Sequence, residues 1–182
     1  MTSRVLPPDE VWIDERLVVR ESPIEGRGLF FSEDVRAGTT VIRLGGRLAS
    51  SAELDGLIAA AEADPAAPYI DTMTIYDDAH LVLPPDTLIH FGNHSCDPTM
   101  WHVGPYEVAT RRDVRGGEEA TIDYGTLSGA DGFEMACRCG TTTCRGRITS
   151  NDWQRPDLQD RYRTHWVPEL QRRIDPPAAG AL

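Results

Sequence analysis

Apolar residues come in short bursts along this chain, separated by glycine, proline and charge. Leu17-Val18-Val19 and Leu29-Phe30-Phe31 flank a break at Pro23 and Gly26. That pattern predicts a strand, a turn and a second strand beginning at Gly28 within residues 17–31. DVRAGTTVIRL predicts another turn and strand. The period then changes: Leu54, Leu57, Ile58 and Ala61 fall on one helical face within residues 50–63. Ser50 and Glu53 have capping-box spacing at its start, and DPAAP ends it. HLVLPP reads as a short strand broken by the double proline. EVATRRDVRGGEEATIDYG reads as strand, turn and strand, with the turn on Gly116 and Gly117. LSGADG (127–132) reads as a flexible linker. Beyond it, QRPDLQDRYRTHWVPELQRRI predicts two short helices split at Pro168, and DPPAAGAL a loose tail. There is no internal repeat. Many short strands and little helix predict a mainly β domain with a C-terminal helical cap.

At 182 residues with 40% hydrophobic content, the chain suits one globular domain with a sizeable core. No apolar run approaches the roughly 18–20 residues that cross a bilayer. The first residues have no apolar signal region. The expectation is a soluble cytoplasmic protein, with nucleoid association left open and no membrane partner. The formal net charge is -11, and all 18 basic residues are arginine. An enzyme that modifies lysine could therefore not modify its own side chains. Residues 1–136 carry 10 arginines against 24 acids, whereas residues 137–182 carry 8 against 5. The acidic body disfavours a nucleic-acid backbone and favours a basic partner.

Three of the four cysteines fall in CRCGTTTCRG: Cys137, Cys139 and Cys144. In a reducing compartment this spacing fits a metal better than a disulfide. A closed structural zinc site needs four N/S ligands, so the fourth is Cys96, in NHSCDP, or a histidine.

Four stretches then resemble one family. GRGLFFSEDVRAGTTV is similar to the glycine-rich opening of SET-domain protein lysine methyltransferases, FGNHSCDP to their NHSC motif, GGEEATIDYG to their GEELTxDYG motif and CRCGTTTCRG to their post-SET zinc segment. They occur in the family's order between residues 17 and 148. The resemblance implies a β-clip-like fold of small curved sheets with a knot-like crossing that brings NHSC against DYG. It implies a structural zinc on Cys96, Cys137, Cys139 and Cys144; with no Cys-rich segment upstream of residue 17, no pre-SET cluster is expected. It implies S-adenosylmethionine as cofactor, held by Gly26, Arg27, Gly28, Asn93, His94 and Tyr124, with Tyr124 catalytic. Without the other motifs, the glycines would read as an ordinary turn, Asn93-His94 as a satisfied polar turn and Tyr124 as a core ring. Tyr76, Trp101, Tyr106, Ile122 and Phe133 are candidates to wall an apolar substrate channel that favours the neutral amine. Core packing explains those five equally well.

The implied division is an N-terminal extension (1–16), a SET domain (17–126), a post-SET segment (127–148) and a C-terminal helical extension (149–182). The implied activity is methyl transfer to lysine on a basic protein: histone-like, nucleoid or ribosomal. Departures from the pattern are Leu44 and Arg47 where a YxGE tyrosine is common, Ile122 two residues before Tyr124, and Thr99 after CDP. Thr99 is tolerable, whereas Leu44 and Ile122 motivate an alternative, a catalytically degenerate scaffold that binds a protein partner. The apolar residues Trp153, Tyr162, Trp166 and Leu170 suit either a brace on the core, in a monomer, or a homodimer face.

Overall fold

The computed structural model describes residues 5–64, 66–127 and 132–176 as four small antiparallel sheets with short helices. β1 (Trp12–Ile13), β4 (Thr40–Arg43), β9 (Glu107–Thr110) and β8 (Met100–His102) form the largest, in that spatial order. β2 (Leu17–Glu21) pairs with β3 (Arg27–Phe31). β7 (Ala79–Val82) lies between β5 (Arg47–Ala49) and β6 (Thr72–Tyr76). β10 (Glu134–Ala136) pairs with β11 (Arg147–Thr149). The mainly β expectation therefore holds. β1, β8, β10 and β11 are too short to leave a periodic signal, and the sequence pattern does not anticipate them.

The 17–31 hairpin forms as its pattern predicts. Gly26 has φ +47, in the left-handed region that glycine enters without steric cost. β3 is buried on both faces from Gly28 to Phe31, which explains its unbroken apolar run. Leu29 and Phe31 join Ile42, Leu81, Met100 and Val108 in the core.

α1 (Ser51–Ala63) carries the full capping box, with Ser50 and Glu53 each accepting from the other's backbone N–H. Its predicted apolar face is only partly used. Leu54 is buried, Leu57 and Ala61 are half-buried, and Ile58 is 39% exposed. The helix rests on β5 and β7 along one edge, so the rest of the face stays in water.

The predicted strand after Gly116-Gly117 is not a continuous one. Residues 117–120 bond to β3, through Phe31 N–H to the Glu118 carbonyl (3.0 Å) and Ala120 N–H to the Leu29 carbonyl (2.7 Å). The chain then changes partner. Ile122 N–H donates to the Asn93 carbonyl and Ser95 N–H to the Ile122 carbonyl, both at 3.1 Å, in a parallel bridge. Two partners in four residues leave no room for a ladder. The switch brings NHSC and DYG side by side.

α2 (Pro156–Tyr162) and α3 (Pro168–Ile174) each begin with proline in the first turn, where its missing N–H costs nothing. Leu158, Tyr162, Trp166, Val167 and Leu170 enter the main core, and Trp153 packs against it. The apolar face considered for a dimer is thus used within the chain as a brace. Most of the 127–132 linker (128–131) and the end of the tail (177–182) lie outside the described residues.

Candidate active site

The four cysteines converge. The sulfurs of Cys96, Cys137, Cys139 and Cys144 lie within 4.8 Å of one another, and Cys137 is 3.6 Å from both Cys96 and Cys144. Four thiolates at about 2.3 Å from a tetrahedral zinc stand about 3.8 Å apart, so the donor set fits such an ion. Donors already point at the sulfurs: Cys96 N–H at Cys139 Sγ (3.5 Å) and Arg145 N–H at Cys96 Sγ (3.3 Å). Burial works to raise the Cys139 thiol, but the Thr141 hydroxyl and the Cys96 N–H outweigh it, and the group falls to about 6. Cys96 goes the other way, pushed up to about 11 mainly by burial.

Behind the β2–β3 turn stands Asn93. Its Nδ2 donates to the carbonyls of Glu25 (3.2 Å) and Arg27 (3.3 Å) and to Glu119 Oε1 (2.8 Å). Glu119 also accepts from the Ser22 hydroxyl at 2.8 Å. A Cβ on Gly28 would lie 2.2 Å from Glu119 Oε1, so a larger residue would displace the Glu119 carboxylate from its bond with Asn93. Arg27 lays its guanidinium 4.2 Å over the Phe91 ring. Glu119 is the second acid of the GEE motif, but the sequence pattern gives no sign that it sits behind the glycine turn.

His94 links the turn to the cysteines. Its Nδ1 accepts the Tyr124 N–H at 3.1 Å, so the ring proton sits on Nε2, 3.4 Å from Cys96 Sγ. Burial, with Asp123 opposing, lowers His94 to about 4 and keeps it neutral. The Tyr124 hydroxyl donates to the Gly92 carbonyl at 2.6 Å. Burial pushes that hydroxyl up to about 12, helped by Asp71 and Tyr69, so it stays protonated.

Asp123 is buried beneath Tyr124. It accepts two 2.6 Å bonds from Arg145, one of 2.7 Å from the Tyr162 hydroxyl and one of 2.9 Å from Gly125 N–H. Arg145 also meets Asp152 at 3.0 Å. The residue after Cys144 is thus tied to the DYG segment and the helical brace.

A cavity of about 440 Å³ opens beside Tyr124. Ile122 and Phe133 line it, as does Leu44. Trp101, Tyr106 and Tyr76, the other channel candidates, are outside its lining. On β8, Met100 and His102 face the cavity, so strand alternation turns Trp101 away. Trp101 stacks on His165 with centroids 3.5 Å apart. Tyr106 is buried in the core, its hydroxyl donating to the Val5 carbonyl at 2.8 Å. Tyr76 ends β6 and packs against the core. The wall includes three side chains that sequence reasoning missed: Tyr69, Asp71 and His90.

His102, in the same wall, is buried with neither ring nitrogen hydrogen-bonded among the described residues. Burial lowers it to about 4, partly offset by the Gly104 backbone. His94 and His102 thus take up protons in the unfolded chain near pH 6.5 but in the folded one only near 4. Their stabilisation is complete above about pH 6.5 and falls by about 1.4 kcal/mol per histidine per pH unit as pH drops towards 4. The urea midpoint is expected to fall over that window, and His102→Gln to flatten part of the slope.

Known proteins bear on this arrangement. The family model of the SET domain matches residues 26–125, more than half of the chain. The chain belongs to the SET-domain family. The match runs from the Asn93-held glycine turn to Gly125, so its two ends are the two sides of the site. Among curated relatives, human histone-lysine N-methyltransferase 2B is 33% identical over 144 residues, covering 72% of this chain and 5% of its own length. Histone-lysine N-methyltransferase SUV39H2 of Xenopus tropicalis is 30% identical over 84 residues, covering 32% of this chain and 20% of its own. The chain thus spans only a small part of these relatives. The methyltransferase domain of human histone-lysine N-methyltransferase SETMAR superposes with a TM-score of 0.56 at 18% identity, over 73% of this chain and 57% of that one, a likeness of fold.

Proposed function

We propose that this SET domain transfers methyl groups from S-adenosylmethionine to lysine side chains of a basic protein. The observation that carries the reading is the Tyr124 hydroxyl, fixed on the Gly92 carbonyl at 2.6 Å and facing a cavity large enough for an aliphatic side chain. The turn at Gly26–Gly28, with Asn93 and His94 behind it, would hold the cofactor, because glycine leaves the backbone open to close approach. Bound there, S-adenosylmethionine supplies a methyl group already activated by its sulfonium. The protein's part is then to orient the amine and exclude water. The Tyr124 hydroxyl oxygen and the Gly92 carbonyl offer acceptors to the amine N–H groups, leaving its lone pair free, and Ile122, Leu44 and Phe133 supply apolar walls. The relatives' names, histone-lysine N-methyltransferases, support lysine as the acceptor. The excess of acids over arginines in residues 1–136 supports a basic protein as its carrier. The four-cysteine cluster suits a structural zinc that holds residues 137–144 beside Cys96.

Calorimetric titration with S-adenosylmethionine, followed by labelled methyl transfer to core histones and to poly-lysine, tests the reading. Wild type is expected to bind saturably and transfer label. Asn93→Ala is expected to lose binding. Tyr124→Phe is expected to keep binding and lose transfer about 10²-fold or more. Binding without transfer to either probe would favour the non-catalytic scaffold. No binding by folded protein would remove the cofactor assignment.

A further inference from the structure

The cavity beside Tyr124 holds a carboxylate. Asp71 enters its wall from the segment leading into β6. Asp71 Oδ2 lies 3.0 Å from His90 Nδ1, and His90 Nε2 lies 2.9 Å from the Pro84 carbonyl. Both ring nitrogens therefore face acceptors, but a neutral imidazole can donate from only one. With Nε2–H given to Pro84, the Nδ1 lone pair confronts the carboxylate. In the other tautomer Nδ1–H bonds the carboxylate and the Nε2 lone pair confronts the Pro84 carbonyl, so only one added proton satisfies both contacts. Asp71 and His90 thus form a receptacle for a single proton, and both side chains keep an edge in water, at 33% and 22% exposure.

Asp71 and His90 line the same cavity as Tyr124. After burial, Asp71 is the largest influence on the Tyr124 hydroxyl. The other titratable groups in the wall are Tyr69, Tyr124 and His102, and Asp71's ion-pair partner is His90. A lysine substrate reaches this site mostly as an ammonium, its ordinary pKa being about 10.4. Its nitrogen has no lone pair to give until one N–H bond breaks.

Building on the methyltransferase reading above, we infer that Asp71 accepts the proton of the incoming lysine ammonium, with His90 as the positioning residue that shares it. The N–H bond of the ammonium breaks and its electron pair stays on nitrogen. The proton passes to Asp71 and is held between Oδ2 and His90 Nδ1. The freed lone pair is then available to the methyl group. The proton leaves to water through the exposed edge of the pair, which resets it for the next transfer.

The test is labelled methyl transfer to poly-lysine as a function of pH, for wild type, Asp71→Asn and His90→Gln. Calorimetry with S-adenosylmethionine and thermal unfolding run alongside. An asparagine side chain keeps the shape of the aspartate and can donate its amide to a neutral His90, so Asp71→Asn is expected to fold and bind cofactor as wild type does. Its transfer rate at neutral pH is expected to fall about 10²–10⁴-fold, the usual worth of a positioned base. The deficit is expected to shrink between about pH 7 and 9.5, as substrate increasingly arrives as free amine. His90→Gln is expected to show a smaller deficit with the same pH trend. An Asp71→Asn protein as fast as wild type, or slower by one factor at every pH, would overturn the inference and leave the methyltransferase reading intact. Wild-type protein that binds cofactor but labels nothing at any pH would remove both.

Discussion

Arg145→Ala is expected to destabilise the protein by about 3–5 kcal/mol, the usual cost of breaking a buried ion pair by removing one partner. The Arg145, Asp123 and Asp152 side chains are all under 8% exposed, and one guanidinium serves both acids. Without it, two carboxylates remain in a site closed to water. Burial works to raise the Asp123 carboxyl, and the Arg145 hydrogen bonds overcome it, so the net shift is downward. Removing Arg145 leaves burial dominant, and Asp123 must protonate or pull away. Its bonds to Gly125 N–H and the Tyr162 hydroxyl link the loss to both the DYG segment and the helical brace. Urea denaturation reads the effect. Adding Asp123→Asn to Arg145→Ala is expected to recover part of the loss, because it removes the charge left unpaired. Full wild-type stability in Arg145→Ala would show that the network contributes little.

Stripping metal from the protein is expected to be as damaging. Without an ion, the four sulfurs within 4.8 Å of one another must protonate or separate. Structural zinc on such donors contributes apparent binding free energies of about 10–16 kcal/mol in small peptides, much of it spent on folding. Here the dependent structure is local: residues 137–144, the β10–β11 hairpin and, through Arg145, the Asp123 network. Phe133, which lines the cavity, directly precedes β10. Chelation is therefore expected to lower the melting temperature and to abolish methyl transfer, with both recovered on adding zinc. Metal analysis of untreated protein is expected to give about one zinc per chain, and thiol titration to show four reactive sulfhydryls only after chelation. Unchanged melting and transfer in metal-free protein would sink the structural-zinc assignment.

The legibility of this protein follows the range of its interactions. The 17–31 hairpin, the α1 capping box and the proline-started helices are local: each is specified by residues at most a few positions apart, and the sequence pattern predicts them. The cysteine convergence was legible for another reason. Spacing alone left the fourth ligand open between Cys96 and a histidine, and only the family resemblance pointed to Cys96; the fold brings it in across 41 residues of sequence. The GGEE–IDYG stretch marks the limit. Its composition suggests a plain strand, but its backbone divides its hydrogen bonds between β3 and the Asn93 segment, and no local pattern encodes a change of partner.

The channel residues show the same limit. Trp101, Tyr106 and Tyr76 have the composition of a channel wall, but strand alternation and core packing place them elsewhere. Asp71 and His90, 19 residues apart, gave no motif at all, because their pairing is made by the turn of β6 and β7. The sequence determined the family and, through that resemblance, the four cysteines that cluster, because both rest on residue type and order. Only the tertiary structure decided which side chains line the cavity beside Tyr124, because facing depends on strand register and crossing, and a one-residue slip in register reverses it.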